Sequence, residues 1–124
     1  MTKARRAIIA GSRGLTDYEK IEPLIDSYFN KEKPFVVICG CAKGIDSIGR
    51  QWADKHGIAV EEYPANWNKY GKSAGYIRNK QMGKVATEAL IIWDGKSEGS
   101  FNMYEIMKDL DKRVCLVKVD DETC

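Results

Sequence analysis

The sequence predicts an α/β fold: a mostly parallel five-stranded sheet with helices on both faces. Three observations carry this. Five short apolar runs rich in Val or Ile recur along the chain, amphipathic stretches alternate with them, and glycine-rich segments follow the first, second and fourth runs directly. At 124 residues, 44% hydrophobic and 31% charged, the chain has the size and composition of one globular domain. A single domain over residues 1–124 is expected, with its core at about 7–119.

Taken in order, Ala7–Ala10 reads as the first strand and ends at Gly11. Ile21, Leu24, Ile25, Tyr28 and Phe29 then recur at helical spacing, with Thr16 or Asp17 as N-cap. Phe35–Cys39 is the second strand. The second helix runs from about Ile45 to His56 and stops at Gly57. Ala59–Tyr63 is the third strand, about Ser73–Ala86 the third helix, and Ala89–Trp93 the fourth strand. The fourth helix, Phe101–Leu110, carries Met103, Ile106, Met107 and Leu110 on one side, and Val114–Val119 is the last strand. The strands look like buried parallel ones. Asp120–Cys124 reads as a polar tail expected to fray.

Composition excludes several classes. Twenty Lys and Arg against 18 Asp and Glu leave a net charge of +2, too balanced to announce a nucleic-acid protein. Cys39, Cys41, Cys115 and Cys124 form no C-x-x-C pair and lack histidine partners, so no metal site is expected and a reducing cytosol is the simplest setting. The basic start, Met1 to Arg6, is followed by an apolar stretch that ends at Gly11, too short for a signal peptide or a membrane span. A cytoplasmic protein is expected.

In such a fold, ligands bind at the carboxyl ends of the strands, where the glycine loops fall. These are Gly11-Ser12-Arg13-Gly14, Gly40-Cys41-Ala42-Lys43-Gly44-Ile45-Asp46 and Asp94-Gly95-Lys96-Ser97-Glu98-Gly99-Ser100. Glycine lets a ligand approach the backbone, and the helix starts that follow offer N–H groups to an anion, so a phosphate is the expected tenant. Two phosphate fingerprints fail. After the first strand only Gly11 and Gly14 match G-x-G-x-x-G, and the second strand ends in Cys39-Gly40 instead of an acid. Gly71-Lys72-Ser73 and Gly95-Lys96-Ser97 lack the first P-loop glycine, which is Asn66 or Leu90.

Pro64–Thr87 carries Lys69, Lys72, Arg78, Lys80 and Lys84 and no acid. It also holds Trp67, Tyr70 and Tyr76 for stacking, and Asn66, Asn68, Asn79 and Gln81 for reading a base edge. The alternative is a solvated basic face. Catalytic signatures are thin: His56 is the only histidine and sits where it would cap a helix, so no triad can be assembled without it. Asp46 and Asp94, then Glu98 and Glu105, are the candidate carboxylates, and Asp46 serves equally well as a helix cap. Cys39 and Cys41 are read as structural thiols.

These loops, together with Tyr63-Pro64-Ala65-Asn66-Trp67, Gly75-Tyr76-Ile77-Arg78-Asn79-Lys80-Gln81-Met82 and Trp93-Asp94, resemble the SLOG superfamily, and within it the small stand-alone YspA-like branch of bacteria and phages. The likeness covers about residues 7–119. It implies a Rossmann-like domain that binds nucleotides or nucleotide-derived molecules, commonly as a homo-oligomer. The superfamily includes lonely-guy-type hydrolases, the DNA-processing Smf/DprA type and sensors of nucleotide signals. The hydrolases carry G-G-x-G-T-x-x-E. Here Gly99-Ser100 stands at the Gly-Thr position and Asn102 or Met103 where the glutamate would be, and an amide or thioether cannot replace that carboxylate. Cys41 replaces the second glycine of the family's G-G-A-[KR]-G-x-D loop.

The resulting expectation is a protein that captures a nucleotide or nucleotide-derived signal without transforming it, as a sensor or as a sequestering protein; a phage sponge for a host immune signal, acting in host cytoplasm, is a special case. Gly11, Ser12, Arg13 and the Gly40–Gly44 loop would hold phosphate or ribose, with charge from Lys43 and Arg78. Gly99 and Ser100 would hold a second phosphate at the start of the fourth helix, and Gly95, Lys96, Ser97 and Asn79 are further candidate ligand-binding residues. Trp67 or Tyr76 would stack on the base, and Asp46 or Asp94 would accept from a ribose hydroxyl. No cofactor or membrane partner is expected. The alternatives are a phosphoribohydrolase or N-glycosidase using Glu98, Glu105, Asp46 or Asp94, and a single-stranded nucleic-acid-binding module.

Overall fold

The computed structural model describes residues 4–119; the tail from Asp120, with Cys124, lies outside them. Strands β1 (Arg6–Gly11), β2 (Val36–Cys39), β3 (Ala59–Glu62), β4 (Glu88–Trp93) and β5 (Arg113–Lys118) form one sheet in the order β3-β2-β1-β4-β5. Every neighbouring pair is parallel. They are joined by helices α1 (Tyr18–Tyr28), α2 (Ile45–Lys55), α3 (Trp67–Tyr70), α4 (Ala74–Val85) and α5 (Glu98–Asp109), with a 3₁₀ turn at Gly71–Ser73 between α3 and α4. This is the Rossmann-like order, in which the chain reverses direction across the sheet between β1 and β4.

The two-residue period of the strands builds the layers. Ala7 and Ile9 of β1, with Leu90 and Ile92 of β4, pack with Ile21 and Ile25 of α1 and with Ile45, Ile48 and Trp52 of α2. Ile8 and Ala10, with Ala89 and Ile91, pack on the other face against Met82 of α4 and Met103 and Met107 of α5. Central strands apolar on both faces therefore read as unbroken apolar runs. The edge strands depart from that expectation: β3 and β5 are only half-buried, and Glu61 and Glu62 belong to β3. Trp52 is fully buried, stacks on Phe29 at 5.3 Å between centroids, and donates its ring N–H to Asp26 at 2.8 Å. At the amino edge of the sheet, far from the glycine loops, buried Glu88 accepts from Arg5 at 2.6 and 2.9 Å and from the Tyr28 hydroxyl at 2.8 Å.

Helix ends were less legible. The expected helix over Ser73–Ala86 is preceded by α3, whose C-cap Gly71 has φ +57°, a left-handed turn that separates two helical pieces. The expected helix from Phe101 starts earlier, at Glu98, because Ser97 caps it by accepting the Ser100 N–H at 3.3 Å. Asp17 holds the N-cap position of α1, but its side chain makes no capping bond. His56 is the C-cap of α2, and its Nδ1 donates to the Trp52 carbonyl at 2.9 Å, in keeping with the capping role.

Candidate functional site

The loops after β1, β2 and β4 meet at the point where the strand order reverses, and buried Ser12 ties them together. Its N–H donates to Ile92 O at 3.1 Å, its carbonyl accepts from Ile45 N–H at 3.3 Å, and its hydroxyl accepts from Asp94 N–H at 2.9 Å. Such close approach needs glycine twice. A Cβ on Gly11 would stand 2.0 Å from the Ile92 carbonyl oxygen. Gly44 sits at φ +73°, and a Cβ there would meet the Ser12 carbonyl oxygen at 2.4 Å.

Cys41, where the resemblance implies glycine, has φ +63°, a left-handed conformation that costs a side-chain-bearing residue about 1–2 kcal/mol. The greater freedom of glycine in the unfolded chain offsets about 0.4–1 kcal/mol of that. Cys41→Gly is therefore expected to stabilise the protein by about 0.5 kcal/mol, read as a higher urea midpoint with an unchanged slope. A lower midpoint would contradict the strain.

Asp46, in the first turn of α2, is buried, and its Oδ2 accepts the Ala42 N–H at 3.2 Å. Burial pushes its pKa above the ordinary carboxylate value against the pull of Arg78, Arg13 and backbone N–H groups. Arg78 reaches the same point from α4: its guanidinium donates to the Gly40 carbonyl through Nη1 and to Asn79 Oδ1 through Nε at 3.0 Å. A Cβ on Gly40 would lie 2.7 Å from both Arg78 Nη1 and Asp46 Oδ2, so that glycine leaves room for the two charges to face each other. Asn79 also joins α4 to the start of α5, donating to Gly99 O at 3.2 Å and to Asn102 Oδ1 at 3.0 Å.

Between these groups lies a cleft of about 190 Å³. Gly11, Arg13, Ala42 and Asp46 line it from the first two loops, Trp67, Tyr76, Arg78 and Asn79 from the segment before β4, and Ser97, Gly99 and Ser100 from the start of α5. Trp67 is 50% exposed, with the Arg13 guanidinium 6.0 Å from its ring centre. A recess of about 110 Å³ shares Arg13, Ala42, Trp67 and Arg78 and adds Gly40 and Cys41.

The remaining expected residues stand elsewhere. Ser12, Lys43, Gly44, Asp94 and Gly95 line neither space. Asp94 turns into its own loop, where its Oδ1 accepts from Lys96 N–H at 2.8 Å and Ser97 N–H at 2.9 Å. Burial raises its pKa, but these bonds and the Ser12 hydroxyl outweigh that and hold it below the ordinary value. Lys96, Glu98 and Glu105 line a neighbouring groove outside the cleft. Asn66 caps α3 through the Lys69 N–H at 3.1 Å. Of the basic segment, Lys72 and Arg78 reach the cleft. Lys72, Gly75 and the floor residues Ala10, Met82 and Met103 were not named as site residues. The position of Lys72 just before the helix with Arg78 was the available signal for it; the methionines carry none beyond a core pattern.

The cleft thus holds three cations, Arg13, Lys72 and Arg78, against one acid, Asp46, beside the amino end of a twelve-residue helix. That arrangement favours a bound anion. It contains no second carboxylate to complete an acid–base pair.

A family model described as YspA, cpYpsA-related SLOG matches residues 5–70, which contain the first two loops and the whole of α3. The chain belongs to this SLOG family. It is 30% identical over 103 residues to the Gene 61 protein of Mycobacterium phage D29, covering 77% of this chain and 82% of the phage protein. This SLOG fold also superposes on the X-ray structure of DNA processing protein A (DprA) from Streptococcus pneumoniae, with a TM-score of 0.71 and 17% identity. That match covers 94% of this chain and 51% of DprA, so the chain spans about half the length of that protein. Among the described residues no helix is long and apolar enough to cross a membrane.

Proposed function

We propose that the cleft binds a nucleotide or nucleotide-derived signalling molecule, and that the protein acts by sensing or sequestering it. The observation that carries this reading is the convergence of Arg13, Lys72 and Arg78 with the start of α5 around one cleft edged by Trp67. Guanidinium groups and helix N–H groups suit phosphate, and the half-exposed indole suits a base. Family membership supports a nucleotide-related or nucleic-acid-binding role in general terms. Likeness to a phage protein supports host cytoplasm as the setting. The placement of Glu98 and Glu105 outside the cleft favours capture over hydrolysis.

The test is to incubate the purified protein with nucleoside monophosphates, dinucleotides, cyclic nucleotides and ADP-ribose-type molecules. Unbound material is removed, the protein heat-denatured, and the released species identified by mass spectrometry. An intact ligand is the expected result. Free base with ribose phosphate would make the protein a hydrolase. Retention of nothing, alongside oligonucleotide binding that weakens steeply with salt, would make it a nucleic-acid module, the class that net charge argued against and that likeness to a DNA processing protein keeps in the comparison. A sizing column on the same sample tests the homo-oligomer expected from the resemblance.

A further inference from the structure

The cleft is too small for a complete ligand of the proposed kind: about 190 Å³, where small-molecule sites span about 300–1,000 Å³. The ligand must therefore continue into adjoining space. One adjoining space, a groove of about 420 Å³, shares Tyr76 and Ser97 with the cleft, whereas a second, of about 470 Å³, shares Tyr76 alone.

The groove differs from the cleft in chemistry. Trp93 and Phe101, with ring centres 5.4 Å apart, form an aromatic wall, and the Trp93 ring is fixed by its N–H bond to Ser97 O at 2.9 Å. Phe101 is 37% exposed and Tyr76 44%, so both offer open ring surface. Glu98 and Glu105 outnumber Lys96 there, whereas cations outnumber the acid in the cleft. Among the described residues, the Glu105 side chain has no hydrogen-bond or ion-pair partner. An aromatic wall with a free carboxylate suits a flat ring bearing N–H donors, and it repels a phosphate.

Resting on the nucleotide reading of the cleft, we infer that the ligand carries two flat rings joined through phosphates. One ring lies at Trp67, the phosphates lie between Arg13 and Arg78, and the second ring lies against Phe101 and Trp93. The protein is therefore selective for a two-ring dinucleotide over a mononucleotide. The acids at the groove disfavour a longer strand, whose next phosphate would meet Glu98 or Glu105.

The probes are ADP and GDP, the matching diadenosine and diguanosine diphosphates, and a fluorescein-labelled decathymidylate, titrated against the wild-type protein and against Phe101→Ala and Arg78→Ala. At least one dinucleotide is expected to bind about tenfold more tightly than its mononucleotide. Phe101→Ala should remove that advantage and leave mononucleotide affinity within about twofold, because it touches the groove alone. Arg78→Ala should weaken both. Equal affinity for dinucleotide and mononucleotide, or an advantage untouched by Phe101→Ala, overturns the second ring site and leaves the cleft standing. Failure of all four nucleotides to bind overturns the cleft reading with it. Decathymidylate binding more tightly than any dinucleotide assigns the two ring positions to a nucleic-acid strand instead.

Discussion

Gly11→Ala is expected to lose at least about 4 kcal/mol of folding stability, enough to leave much of the protein unfolded. The new Cβ would sit 2.0 Å from the Ile92 carbonyl oxygen and 2.7 Å from Ile45 Cγ1. The first of these is backbone of the adjacent strand β4, so relief requires the β1–β4 pairing to open at Gly11 and Ile92. Gly44→Ala combines a left-handed φ with backbone atoms of Ser12 and Arg13 inside 3 Å and should approach the same loss. The control is Gly14→Ala in the same loop, where a Cβ meets nothing within 4 Å, and a change of no more than about 0.5 kcal/mol is expected. Urea titrations of the three proteins decide the matter. A Gly11→Ala midpoint close to that of Gly14→Ala would mean that the crossing of the two loops is looser than this geometry.

That contrast shows what the sequence can and cannot reveal. Gly11, Gly14 and Gly44 look alike on the page, each a glycine near a strand end. Only the crossing of the loops at Ser12 separates a required glycine from a permissive one. The strands were legible because β1, β2 and β4 are apolar on both faces, and the alternation with helices led to the parallel sheet and to the edge where ligands bind. Loop position and charge singled out Arg13, Asp46, Trp67 and Arg78, and all four line the cleft. The fates of Asp94, Glu98 and Glu105 were not legible. Spacing placed all three near the binding edge, but Asp94 bonds back to its own loop, and both glutamates, on α5, line a groove outside the cleft. Such outcomes depend on local hydrogen bonds that residue spacing does not encode.

Arg78→Met is the substitution through which stability and binding should fail together. Asp46 is buried, and Arg78 is the strongest of the influences that keep its carboxylate charged. Met keeps most of the side-chain bulk and removes the charge together with the bond to the Gly40 carbonyl. Leaving a buried charge without its counter-charge costs about 3 kcal/mol. The loss should depend on pH, and its sign follows from the direction of the Asp46 shift. A carboxyl whose folded pKa lies above its unfolded value binds protons more readily in the folded state. Its contribution is most favourable below the unfolded pKa and declines as pH rises through the interval up to the folded one. Removing Arg78 raises the folded value further and extends that decline toward neutral pH. Arg78→Met should therefore be destabilised more near pH 7.5 than near pH 5, and adding Asp46→Asn should flatten the difference. A loss independent of pH would show that Arg78 supports the Gly40 loop by hydrogen bonding alone. For the ligand, removing a guanidinium from the anion cleft should weaken binding by about 30-fold, in line with one charge-assisted hydrogen bond. Full affinity in a folded Arg78→Met protein would move the phosphate away from Arg78 and toward Arg13 and Lys72.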